Sequence, residues 1–223
     1  TLGLKIILTM PESMSIERRK MMALFGAKLE LTPASEGMKG AYERALALHK
    51  EIKNSFIPSQ FENLANKFAH RENTAVEILN DLDGKIDYFV AGFGTSGTIS
   101  GVGEVLKEKF ADKVKIIAVE PAASPLLSEG KAGGHKIQGI GANFVPKILN
   151  QSVIDEIQTI SNEDAIATAR ELALKNGLMV GISSGANVFI ASKIAKANPD
   201  KIIVTMLNDT AERYLSTDLF AGI

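Results

Sequence analysis

Short runs rich in β-branched residues alternate with longer amphipathic stretches along the whole chain, and this alternation restricts the fold to one class. Residues 5–10 (KIILTM), 28–32 (KLELT), 88–91, 114–120 (VKIIAVE), 153–160 and 201–207 (KIIVTML) read as strands, with 55–57 a further short one before Pro58. Between them, the spacing predicts helices over 15–25, 40–52, 62–82, 97–110, 161–176, 184–197 and 211–219. Ser15 and Ser161 stand where N-caps belong, and Gly26 and Gly177 stand just past helix ends. Ala41, Ala45, Leu48 and Ile52 fall along one face of the second helix. Strands separated by helices pair in parallel through crossovers, so the expected architecture is α/β, with doubly wound sheets covered on both faces. The segment 122–146 is glycine-rich with little periodicity, which reads as a functional loop.

Composition removes several classes of function. The 223 residues are 45% hydrophobic and 23% charged with a formal net charge of -1, so the chain is globular and carries no excess of positive charge for nucleic acid. It has no cysteine, which excludes thiolate chemistry and disulfides, and its three histidines (His49, His70, His135) are not at metal-ligand spacing. No apolar run approaches the roughly 20 residues that span a bilayer, so the reading is no membrane and a cytoplasmic location. The chain starts Thr1-Leu2-Gly3-Leu4, with a strand almost at once, which reads as a processed or incomplete chain.

The sharpest local feature is the segment 91–103 (AGFGTSGTISGVG), after a strand and opening a helix. Glycines let the backbone turn tightly, and the following helix offers unpaired N–H groups to an anion. Thr95, Ser96 and Thr98 add hydroxyls suited to a compact phosphate monoester. Gly92, Gly94 and Gly97 also satisfy G-x-G-x-x-G, and Glu120 ends the next strand, so a dinucleotide site with Glu120 on a ribose is the competing reading. A second strand-to-helix turn, 181–186 (GISSGA), carries serines that serve either as a helix cap or as a neutral hydroxyl for a pyridine nitrogen.

Six segments together resemble one family. Residues 8–19 (LTMPESMSIERR), 36–41 (EGMKGA), 94–98 (GTSGT), 135–142 (HKIQGIGA), 181–186 and 212–217 (ERYLST) are similar, in family order, to the cysteine synthases (O-acetylserine sulfhydrylases). These are pyridoxal-phosphate enzymes of the tryptophan-synthase-β fold. The resemblance implies two three-layer α/β/α domains, N-terminally incomplete here. Residues 1–58 would be the remainder of the smaller domain and 59–223 the larger, cofactor-binding one.

The resemblance also implies site residues. Gly94, Thr95, Ser96, Gly97 and Thr98 would hold the phosphate of pyridoxal 5′-phosphate, with Ser96 where glycine is usual, and Ser183 would face the pyridine nitrogen. Gln60, Phe61, Gly139, Gly141 and Ala142 would border the amino-acid substrate. The implied reaction converts O-acetylserine and sulfide to cysteine and acetate in a homodimer, with serine acetyltransferase as a partner protein. The family's imine-forming lysine sits in a Ser-x-Lys-Asp-Arg context absent from this sequence, so the resemblance puts that lysine upstream and leaves this chain alone inactive. A cystathionine β-synthase, a serine/threonine dehydratase or a non-catalytic relative on the same scaffold are the alternatives. Residues 62–64 (ENL) and 208–211 (NDTA) depart from the family pattern, the latter at one wall of the implied cofactor pocket.

Overall fold

The computed structural model describes residues 2–223. Its first part is a small parallel unit: β1 (Ile7–Pro11), α1 (Ile16–Leu24), β2 (Lys28–Thr32) and α2 (Gly37–Glu51). β1 and β2 run in parallel, Ile7 opposite Lys28 through Pro11 opposite Thr32. Gly26, at φ 81°, turns the chain out of α1 into β2, a conformation that a β-carbon disfavours. Ser15 precedes α1 but makes no capping bond; its backbone N–H reaches the Gln138 side chain instead. The strand expected at 55–57 does not form. Those residues pair with nothing among the described strands, and Phe56 lies in solvent.

The larger part is a four-stranded parallel sheet in the order β5-β4-β3-β6, from β3 (Tyr88–Gly92), β4 (Lys115–Pro121), β5 (Glu156–Ile160) and β6 (Ile203–Thr205). Alternation along each strand divides its side chains between two cores. Phe89, Ala91, Ile116 and Ala118 face α5 (Gly97–Phe110) with Ile99, Val102 and Leu106. Val90, Ile117 and Val119 face α7 (Asn162–Asn176) and α8 (Ile182–Ala197) with Ala165, Ala169, Ile182 and Ile190. This is the three-layer α/β architecture that the alternation predicts.

The order in which strands are added switches sides at β3. The path leaves β3 through α5 to β4 and then β5, and returns through α7 and α8 to β6 on the other side of β3. Ligands of open α/β sheets bind beyond the carboxyl ends of the strands at such a switch.

Two helical expectations and one loop expectation are refined. The stretch over 62–82 is α3 (Leu64–Ala69), a π turn (His70–Thr74) and α4 (Ala75–Asp81). The 122–146 loop contains one short helix, α6 (Leu126–Glu129). The terminal helix over 211–219 is instead two 3-10 turns, Ala211–Tyr214 and Asp218–Phe220, because Arg170 takes the carbonyls of Asp218, Leu219 and Ala221. No helix of the described residues is long and apolar enough to cross a membrane.

Candidate functional site

The segment 93–96 leaves β3 at this switch and enters α5 through Ser96, which adopts φ 73° and ψ 4°. That left-handed conformation is one a serine rarely takes. The residue is buried and its Oγ has no partner, while Gly97 opens the helix, whose first-turn amides have no partner within the helix. Thr95 Oγ1 accepts from Asn66 Nδ2 at 3.0 Å and from Gly97 N at 3.3 Å. Asn66 in turn is held by the Gln60 carbonyl at 2.8 Å. Thr98 Oγ1 lies 3.2 Å from His70 Nε2.

The 139–142 loop lies directly against this turn. A β-carbon at Gly94 would overlap the Gly139 carbonyl oxygen, and one at Gly92 would lie 2.5 Å from the Ile140 side chain. Gly141 N donates to the Phe93 carbonyl at 2.8 Å. Gly139 and Gly141 take φ of 101° and 68°, so the loop needs glycine at both. His135 fixes it: Ile137 N donates to Nδ1, leaving Nε2–H to donate to the Gly141 carbonyl at 2.9 Å. Burial pushes the His135 imidazole below its ordinary value, consistent with that neutral ring.

Ser183 approaches from the other face. It sits in the first turn of α8, which begins at Ile182 after Gly181 rather than at a serine cap. Its Oγ would be 3.5 Å from a β-carbon on Gly139, so three separate segments meet here. Ser184 Oγ accepts from Asn208 N at 2.8 Å, and Gly181 N donates to the Asp209 carbonyl at 3.0 Å. The 208–211 segment, despite its departure from the family pattern, is therefore bonded to this turn. Asn187 of α8 is fully buried, donates to Asn208 Oδ1 and the Met206 carbonyl, and leaves its own Oδ1 unpartnered near Gly92.

Phe61 is buried in an aromatic cluster, 4.8 Å between ring centroids from Phe144 and 5.8 Å from Tyr42. Its neighbour Gln60 is exposed, and the contact it makes is through its backbone, to Asn66. Ala142 is buried beside Gly141. Asn66, His70 and Asn187 carry contacts at the site that sequence spacing does not single out, because each meets the 92–98 turn from another element.

Glu120 overturns the dinucleotide reading. It is fully buried, and its carboxylate accepts from Leu127 N at 2.8 Å, Ser128 N at 3.0 Å and Ser128 Oγ at 2.5 Å. It fastens α6 to the sheet and has no freedom to meet a ribose. What remains beyond β3 is the 94–98 turn with the 139–142 loop and the Ser183 hydroxyl against it.

The pattern of the family described as pyridoxal-phosphate dependent enzyme matches residues 1–209. The chain is 71% identical over 220 residues to cysteine synthase B of Campylobacter jejuni, covering 99% of this chain and 73% of that protein. A solved O-ureido-L-serine synthase superposes with a TM-score of 0.93 at 43% identity, covering 99% of this chain and 70% of that one. An O-acetylserine dependent cystathionine beta-synthase from Helicobacter pylori gives 0.92 at 40%, over 97% and 71%. With this family match, this identity and the tryptophan-synthase-β-like fold, the chain belongs to the pyridoxal-phosphate dependent enzymes, among the cysteine synthases.

Proposed function

We propose that this protein performs β-replacement, converting O-acetylserine and sulfide to cysteine and acetate. The observation that carries the reading is the meeting of the 94–98 turn, the 139–142 loop and Ser183 at one end of β3. Pyridoxal 5′-phosphate fits this place. The buried, unpartnered Ser96 Oγ and the first amides of α5 suit its phosphate, and the Ser183 hydroxyl suits a pyridine nitrogen. When bound, the cofactor supplies a ring that withdraws electrons from the substrate's Cα.

The chain's own residues then have distinct tasks. Gly94, Thr95, Ser96, Gly97 and Thr98 hold the phosphate through backbone and hydroxyl donors, with no lysine or arginine in the turn. Ser183 gives the pyridine nitrogen a neutral partner, which moderates the ring's pull and suits elimination of a β-substituent. Gly139, Gly141 and Ala142 let a backbone surface close on the amino-acid substrate. Phe61, backed by Tyr42 and Phe144, keeps water from one side, and Gln60 stands at the rim.

In this reading residues 1–58 belong to a smaller domain and 59–223 to the larger one. The imine-forming lysine comes from outside these residues. Lys39, whose backbone N–H meets Asn143, and Lys136 and Lys147, which flank the 139–142 loop in sequence, are exposed and paired with Glu43, Asp218 and Glu62, and Lys67 is held on Glu104. Assembly as a homodimer in the cytoplasm, with serine acetyltransferase as partner, belongs to the same proposal. Analytical ultracentrifugation, alone and with the acetyltransferase, tests both associations.

Product analysis with O-acetylserine and either sulfide or homocysteine tests the reaction. Cysteine as the dominant product supports it, and cystathionine as the dominant product replaces it with the activity named for the Helicobacter pylori neighbour. Borohydride reduction of the cofactor-loaded protein followed by peptide mapping tests the lysine. A cofactor label on any lysine within these 223 residues overturns that assignment.

A further inference from the structure

We propose that His70 is a positioning residue that sets the direction of the Thr98 hydroxyl proton, so that a phosphoryl group in the 94–98 turn meets a donor. The inference rests on the reading of that turn as the phosphate site. His70 Nε2 lies 3.2 Å from Thr98 Oγ1, and its Nδ1 lies 3.0 Å from Thr74 Oγ1. A hydroxyl has one proton and a neutral imidazole one N–H, so this three-membered chain runs in one of two senses.

In the first sense Nδ1–H donates to Thr74, and Nε2 accepts the Thr98 proton. Thr98 then turns only lone pairs toward the anion site, where phosphoryl oxygens also have only lone pairs to offer. In the second, Thr74 donates to Nδ1 and Nε2–H donates to Thr98 Oγ1, whose own proton is free for the anion. A phosphoryl group therefore selects the Nε2–H tautomer.

The surroundings leave that choice to the tautomer. Burial alone pushes His70 below its ordinary value, so the ring is neutral at physiological pH. Lys67 and Arg71, on the same helical stretch, are paired with Glu104 and Glu108 of α5. The ring's reach is set by backbone packing. His70 begins the π turn, an irregularity frequent at functional sites. A β-carbon on Gly101 of α5 would lie 2.5 Å from the Lys67 carbonyl and 2.8 Å from His70 Cβ, so helix and turn are in direct contact.

With three histidines in the chain, imidazole 15N NMR of the full protein can report each ring. The expected result is an Nε2–H ring at His70 when pyridoxal 5′-phosphate is bound, and no such selection with pyridoxal, which lacks the phosphate. His70→Gln, whose amide nitrogen stands near the Nε2 position, should keep most of the preference for pyridoxal 5′-phosphate over pyridoxal. His70→Asn, whose amide stands near Nδ1, should lose about 10- to 100-fold of it, the scale of one hydrogen bond to a charged group. Packing alone would not order the variants in this way. An Nδ1–H ring in the phosphate-bound protein, or an undiminished preference in His70→Asn, overturns the inference and leaves the phosphate site standing. Equal wild-type affinity for the two ligands overturns the phosphate site itself. Should the variants not fold, the wild-type tautomer decides.

Discussion

Ser96 holds a left-handed backbone that glycine adopts without cost. The strain is about 1 kcal/mol for an unbranched residue and more for a β-branched one. Ser96→Gly is therefore expected to fold at least as stably as the parent, since the relief of strain offsets glycine's larger loss of chain entropy. Ser96→Val should lose about 2 kcal/mol or more, read from denaturant unfolding. Glu120 makes the opposite point about a residue that looked ligand-facing in sequence. Glu120→Ala strips the acceptors from Leu127 N and Ser128 N and should cost about 3 kcal/mol in the same measurement. Its loss should leave any affinity for NAD unchanged, and a specific drop in NAD binding would restore the dinucleotide site.

Among the elements, those whose partners lie nearby in sequence were readable from sequence alone. Residues 28–32 and 97–110 begin and end as their patterns require, and Ser161 caps α7 through Asp164 N at 3.0 Å, as its position implies. The misread elements are those governed by distant groups. Residues 55–57 have strand composition but no strand beside them, and composition cannot supply a ladder partner. Residues 211–219 have helical spacing, yet Tyr214 is pulled to Asp209 and Arg18 and the chain breaks into two turns. The site divides in the same way. The glycine and hydroxyl turns were visible as motifs, whereas Asn66, His70 and Asn187 become part of the site only through the fold.

Helix α5 is joined to α3 and the π turn through Glu104, which accepts from Lys67, Arg71 and Asn150 at 2.8–2.9 Å. Burial pushes this carboxyl up, but the three donors outweigh it and hold it below the ordinary glutamate value of 4.5. The sign follows from the depressed value: the bonds stabilise the fold fully above about pH 4.5, and the gain disappears as pH falls through the native-state titration. Glu104→Gln should lower stability at pH 7 and flatten its decline in that acid range, which pH-dependent denaturant melts can show. Gly185 tests the opposite side of the sheet. A β-carbon there would overlap the Ala165 carbonyl and lie 2.8 Å from Ala169 N, so Gly185→Ala must push α8 off α7. The expected cost is about 2 kcal/mol or more, the scale of overpacking in a close-packed core.

At the scale of the molecule, the small β1–α2 unit meets the larger sheet unit through the Tyr42–Phe61–Phe144 cluster and a set of polar contacts. Asn143 accepts from Lys39 N and donates to the Glu36 carbonyl, and Ser216 donates to Glu17. The strongest tie is Arg18 of α1, which donates to Asp209 Oδ2 at 3.0 Å and to Tyr214 Oη at 2.7 Å while lying 5.2 Å from the Tyr214 ring centroid. Tyr214 also donates to Asp209 at 2.6 Å, and burial first, then that bond, pushes its phenol well above the ordinary tyrosine range. This triad reaches the site, because the Asp209 carboxylate fills the space in front of Gly181 and the Asp209 carbonyl accepts from Gly181 N. Arg18→Ala leaves a half-buried carboxylate without its cation, and the lost tie should cost about 1–2 kcal/mol after allowing for partial exposure of both side chains. It should speed proteolytic cleavage within 1–58 and weaken cofactor binding through the Ser183 turn. Asp209→Asn in the same chain removes the uncompensated charge and should recover part of both losses, a coupling that a double-mutant cycle measures directly. Additive effects of the two substitutions would mean that the small unit is held by the Tyr42 cluster and the Asn143 and Glu17 contacts, with Arg18 an ordinary surface charge.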